Sequence, residues 1–140
     1  MVIHDLTPSE CREVLLRTNL CRLACVRGDQ PYIVPVFCHY DPHEDCLFSL
    51  ATLGQKVDWM RANPKVCVEM SEIVDQFHWT TVIVVGRYEE VGESPEESET
   101  RRRAHELFRQ RLEWWVPATS RRSAEPRLPA VIYRIRIDRV

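Results

Sequence analysis

Phe48-Ser-Leu-Ala-Thr-Leu-Gly-Gln-Lys56 is the segment whose residue types and spacing come nearest to a ligand site. A run of strand character ends, small polar residues follow, and a helix opens at Gly54. Unpaired N–H groups at a helix start, with a lysine beside them, form a cradle for a phosphate. Taken alone, Lys56 also reads as a solvated charge on a helix.

Two further constellations invite chemistry. Cys38, His39, His43 and Cys46 flank one polar loop, but their spacing fits no standard zinc motif. Pro42, Glu44 and Asp45 make a sufficient turn without a metal, so no metal site is expected. Trp114-Trp115-Val-Pro117 is the second. Adjacent residues on a helix do not share a face, so one indole packs inside while its neighbour either seals the end of the fold or covers a planar ligand. The run Arg101 to Arg103 is the wet side of an amphipathic helix, and six acids between Glu89 and Glu99 neutralise it.

Composition limits what these residues serve. The chain has 140 residues, which is the size of one domain, and 19 bases against 21 acids give a net charge of −2. An isoelectric point near 6.2 excludes a general nucleic-acid binder, which needs a basic footprint. No apolar run approaches the roughly 18 residues of a membrane span. The amino-terminal residues lack the charged-then-apolar pattern of a secretory signal, so a cytoplasmic protein is expected. Its six cysteines, at 11, 21, 25, 38, 46 and 67, are then expected as reduced thiols. Cys21 and Cys25 share one face of a strand, too far apart to bridge.

The elements follow from local signals. Thr7-Pro8-Ser9-Glu10 is a capping box ahead of a helix carrying Cys11, Val14 and Leu15 and ending at Asn19. Leu20–Arg27, Tyr32–Tyr40 and Cys46–Ala51 read as a three-strand meander. Pro35 cannot donate to a ladder, so it implies an edge or a bulge. Gly54–Asn63 reads as a helix with Val57, Met60 and Arg61 on one side. Lys65–Ser71 alternates as a half-buried strand, and Trp79–Val91 is a long one. Ser94-Pro95-Glu96-Glu97 reads as a second capping box, before a helix whose stripe is Ala104, Leu107, Phe108 and Leu112. Val131 to Asp138 alternates most clearly of all. The sum is six strands, mostly antiparallel, with three short helices: a mainly β fold that closing into a barrel would rid of edges.

The ordered set resembles a known family. Tyr32-Ile-Val-Pro-Val-Phe, a hairpin, Leu47 to Lys56, Val57-Asp-Trp-Met-Arg-Ala-Asn-Pro-Lys-Val-Cys, Trp79-Thr-Thr-Val-Ile-Val-Val-Gly-Arg and Tyr133-Arg-Ile-Arg-Ile are similar to the pyridoxamine 5′-phosphate oxidase-like superfamily of FMN-binding split β-barrels. The small branch with the nitroimidazole-resistance (Nim-type) proteins is the nearest likeness. The resemblance implies a six-stranded antiparallel split barrel that dimerises and builds its FMN site from two chains. Val34, Pro35 and Val36 would lie along the isoalloxazine ring, with Ser49, Leu50 and Ala51 lining the same pocket. Gln55 and Lys56 match a pair that usually reads Arg-Lys and grips the phosphate. Thr80 and Thr81 match a strand position on flavin or phosphate, and Trp115 would cover the ring.

Departures narrow the expectation. Family members that oxidise pyridoxamine phosphate carry Arg at the position of Val34 and Lys at that of His39, so that substrate is not expected. Gln55 removes one fixed charge from the phosphate grip. The expected function is FMN-dependent oxidation or reduction of a small organic molecule. The alternative is a non-enzymatic flavin- or haem-binding sensor of the same fold. Neither a proton donor nor a choice between FMN and a deazaflavin is legible.

Overall fold

Short helices alternate with strands that pair into one antiparallel sheet; the computed structural model describes residues 2–110 and 130–140. Helix α1 (Pro8–Arg17) is followed by β1 (Leu20–Arg27), β2 (Gln30–Phe37), β3 (His39–Asp41), β4 (Cys46–Thr52) and α2 (Gln55–Ala62). Then come β5 (Lys65–Ile73), β6 (Trp79–Val91), a 3-10 turn (Pro95–Glu97), α3 (Ser98–Gln110) and β7 (Ala130–Arg139).

The capping box of α1 forms as the sequence predicts. Glu10 N donates to Thr7 Oγ1 at 3.2 Å, and Thr7 N donates to Glu10 Oε2 at 2.7 Å. The helix stops one residue early, with Thr18 as its cap. The second capping box does not form. Ser94 makes no side-chain cap; the chain first turns through Pro95–Glu97, and the Glu97 carboxylate is drawn to the Gly92 N–H.

The sheet runs β2-β1-β5-β6-β7-β4-β3. Its two edge strands are consecutive in the chain and separated by Cys38 alone. The expected strand Tyr32–Tyr40 is therefore two strands, which makes seven rather than six. Cys38 N donates to Asn19 O at 2.9 Å, and this bond ties the break to the junction of α1 and β1. The expected meander is two hairpins instead, β1 with β2 and β3 with β4. Pro35 sits on an edge strand, as its missing N–H requires. Among the described residues no backbone ladder joins β2 to β4, so the sheet is not closed by pairing. Ser49 Oγ bridges that seam, donating to Phe37 O at 2.6 Å.

The core lies inside the curl of the sheet. Leu23, Val68, Val84, Leu47, Tyr133 and Ile135 fill it, with Leu15 from α1 and Val57 and Met60 from α2. Arg61 leaves the buried side expected for it and pairs with Glu90. A second layer covers part of the outer face: Ala104, Leu107 and Phe108 of α3 pack on Cys46, Phe48, Val91 and Ile132. Strand β4 is thus covered on both faces near its start, which is why it reads as a continuous apolar run. Between β6 and β7 the register shifts at Val85/Gly86. A side chain at Gly86 would collide with the Arg136 carbonyl oxygen and come within 2.8 Å of Ile135 Cγ2.

All six cysteines are free thiols, and five are buried. Cys21 and Cys25 share the inner face of β1. Among the described residues no helix is long and apolar enough to cross a membrane, which says nothing of strands.

Candidate functional site

The seam between β2 and β4 gathers most of the residues expected at a ligand. The period of a strand decides what each presents. Val34 packs against the core and Val36 is buried, whereas Pro35 faces outward. On β4, Ser49 and Ala51 are buried while Leu50 is 57% exposed. Pro35 and Leu50 therefore offer side chains, and the others offer backbone. Strand β2 supplies that backbone, because among the described residues it forms a ladder with β1 alone. A planar ring whose polar rim needs peptide donors and acceptors fits such an edge.

Just past β4, the chain enters α2 through Gly54, which gives the helix no side-chain cap. Gln55 is exposed and Lys56 half-buried at this start. Neither makes a side-chain hydrogen bond or ion pair among the described residues. Orphan N–H groups with an unengaged ammonium are what an anionic phosphate requires. The donors of this seam thus suit a flavin phosphate, and the edge strand beside them suits its ring.

Thr80 and Thr81 stand elsewhere. They open β6, opposite Glu72 and Ser71, and Thr81 Oγ1 lies 3.0 Å from Ser71 Oγ. Helix α2 is pinned to the other end of that strand by Arg61 and Glu90. Nine residues of strand separate Thr81 from Glu90, about 30 Å, whereas Lys56 is one and a half helical turns from Arg61, about 8 Å. Within one chain, the two groups do not meet. Trp114 and Trp115 lie outside the described residues.

The Cys–His constellation does not assemble as spaced in the sequence. Asp41, Glu44 and Cys46 come together within 4.8 Å, while Cys38 and His43 stay out of the group. Arginines engage these acids. Arg134 Nη1 donates to Glu44 at 3.1 Å, and Arg103 Nη1 lies 3.7 Å from Asp41. Burial and the neighbouring Glu44 push the Cys46 thiol up to about 12. His39 is buried, 5.3 Å from the Phe108 ring between centroids. Arg136 and Arg134 together hold Glu89 down to about 2.

Sequence reasoning missed one feature. Residues 2–6 and the β5–β6 hairpin enclose a groove of about 630 Å³. Phe77 and Trp79 on its wall are 72% and 46% exposed. The aromatics Phe77 and Trp79 within Asp75-Gln-Phe-His-Trp79 are the available signal.

Known proteins share this fold. The pyridoxamine 5′-phosphate oxidase family model matches residues 7–140. An uncharacterised protein of Rhizobium meliloti (strain 1021) is 38% identical over 117 residues, covering 84% of this chain and 76% of that one. A FAD-binding protein from Mesorhizobium loti superposes with a TM-score of 0.77 at 33% identity, over 96% of this chain and 90% of that one. A candidate 5-nitroimidazole antibiotic resistance protein from Bacteroides thetaiotaomicron shares the fold, with a TM-score of 0.67 at 19% identity over 99% and 83% of the two chains. With the family model spanning nearly the whole chain, this protein belongs to the pyridoxamine 5′-phosphate oxidase family.

Proposed function

We propose that this protein binds a flavin along the β2–β4 seam and uses it to oxidise or reduce a small organic molecule. The observation that carries the reading is the uncapped start of α2, with Lys56 unengaged, directly after the seam strand β4. The FAD-binding relative at 33% identity supports a flavin, and the single phosphate cradle supports FMN as its smallest form. When bound, a flavin supplies hydride or single-electron chemistry; the chain supplies position and shielding. Pro35 and Leu50 flank the ring, the β2 edge meets its polar rim, and Lys56 takes the phosphate.

The site draws on two copies of the chain. Lys56 and Thr81 are too far apart to share one ligand within a single chain, so Thr80 and Thr81 reach it from a second copy. Ile33, Ile83 and Trp79 on the outer face are 65%, 54% and 46% exposed, which supports burial of that face. The apolar stripe of β7 lies inside: Tyr133 and Ile135 are fully buried in the core. An obligate interface above roughly 2,000 Å² is expected. The six free thiols support a reducing, cytoplasmic setting.

Pyridoxamine phosphate is not the substrate of this reading. Val34 faces the core and His39 is buried, so neither position offers a cation at the seam. The visible absorbance of freshly purified protein, with mass analysis of what it releases, tests flavin binding. Colourless protein that takes up no added flavin overturns the reading. Turnover with a reduced nicotinamide donor separates an enzyme from a sensor.

A further inference from the structure

We propose that the groove between residues 2–6 and the β5–β6 hairpin binds a small organic cation, an ammonium group carried on an apolar or aromatic body. The groove of about 630 Å³ has the size of a small-molecule site. Much of its wall is apolar: Val74 and Ile83 line it beside the rings of Phe77 and Trp79. Those surfaces take the body of the ligand. Thr80 and Thr81 stand in the same wall, and the flavin reading sends them to the cofactor. That the bound cation is also the substrate rests on that reading; the binding site itself stands without it.

Charge selects the head of the ligand. Among the described residues the lining holds no lysine or arginine, and its acids are Asp5 and Glu72. Glu72 is neutralised by Arg17, which donates two hydrogen bonds to it at 2.9 Å each. The Asp5 carboxylate is exposed and makes no hydrogen bond or ion pair among the described residues. It is therefore the uncompensated charge of the groove. The His78 ring lies 2.9 Å from the Asp75 carboxylate and has its counter-charge there. Phe77 and Trp79 add aromatic surface, and the electron-rich face of such a ring attracts a cation. An ammonium head thus meets a free carboxylate and two aromatic rings. A carboxylate or phosphate meets like charge and no cation to offset it.

Calorimetric titration of the purified protein at about pH 8, where a free imidazole is uncharged, compares three probes that share a phenyl ring: phenethylammonium, phenethyl alcohol and phenylacetate. The ammonium is expected to bind roughly 3- to 30-fold more tightly than the alcohol, the range of a cation on an aromatic face, and phenylacetate more weakly than either. Asp5→Asn should bring the ammonium down toward the alcohol and leave the alcohol unchanged. Phe77→Leu, which keeps apolar surface and removes a ring face, should cost the ammonium more than the alcohol. Both side chains are exposed, so these variants fold. An ammonium no tighter than the alcohol, or one indifferent to Asp5→Asn, overturns the site. So does a protein that takes up no probe; a dimer by light scattering would then mean that the second copy fills the groove. Flavin uptake is read separately on the same protein by visible absorbance. Flavin taken up without the ammonium overturns the groove and leaves the flavin reading standing. The reverse overturns the flavin reading and the substrate role and leaves the cation site standing. With both bound, the ammonium should perturb the flavin spectrum, and an unchanged spectrum removes the substrate role.

Discussion

Ser49 on β4 donates a 2.6 Å hydrogen bond to the carbonyl of Phe37 at the end of β2, across the one gap that no ladder closes. The edge strand β2 meets β4 at this bond, which lies in the seam where the proposed function puts a flavin ring. Ser49→Ala removes this hydrogen bond across the seam. A loss of about 1–2 kcal/mol is expected, a melting point lower by a few degrees. Calorimetry on the two proteins checks it; an unchanged melting point would show the seam held by packing alone.

Lys56 is the one fixed positive side chain expected on the phosphate. A charge-assisted hydrogen bond contributes about 1.5–3 kcal/mol, so Lys56→Ala should weaken FMN roughly 10- to 150-fold. Riboflavin, without the phosphate, should lose almost nothing. Gln55→Arg should tighten FMN by adding a second cation at the uncapped helix start. Equal losses for FMN and riboflavin would remove Lys56 from the phosphate.

The distance between Lys56 and Thr81 makes a mixing experiment decisive. Lys56→Ala homodimers and Thr80→Val/Thr81→Val homodimers should each bind FMN poorly. In mixed dimers, one of the two sites regains both halves. Co-expression of the two variants should restore about half the binding capacity among mixed dimers. Mixed dimers with no recovered tight site would return both groups to one chain or remove one from the site. Light scattering should report a dimer at micromolar concentration.

The Glu89 carboxylate, paired with Arg136 and Arg134, sits at about 2 against an ordinary 4.5. A lowered carboxylate contributes stability that is complete above its unfolded value and is lost as pH falls from about 4.5 to about 2. Glu89 is 42% exposed, so solvent screening reduces this to about 1 kcal/mol. Glu89→Gln should melt a few degrees lower at pH 7 and match the parent near pH 2. A gap that persists at pH 2 would assign the effect to packing rather than charge.

Local elements were legible because their causes are local. Thr7 and Glu10 announce α1, Pro35 announces an edge strand, and alternation over Val66, Val68 and Met70 announces β5. The group Val34–Val36, Ser49–Ala51, Gln55 and Lys56 came from the resemblance to a family, and β2, β4 and the start of α2 carry it. Ser94 and Glu97 misled, because a capping box depends on what else competes for the glutamate, and here the Gly92 N–H does.

Tertiary structure alone decided the rest. Cys38 N–H still pairs with Asn19 in the β1 register, and the very next residue, His39, pairs with Phe48 of β4, so the break is a change of partner strand that only long-range pairing sets. The stripe Tyr133 and Ile135 of β7 faces the core, while Ile132 on the opposite face is covered by α3. Thr81 and Lys56 fall at opposite ends of β6 because strand register, a sum of long-range pairings, fixes where each end points. Residue types determined what a ligand site could be built from; register determined that Thr81 and Lys56 do not stand together in one chain.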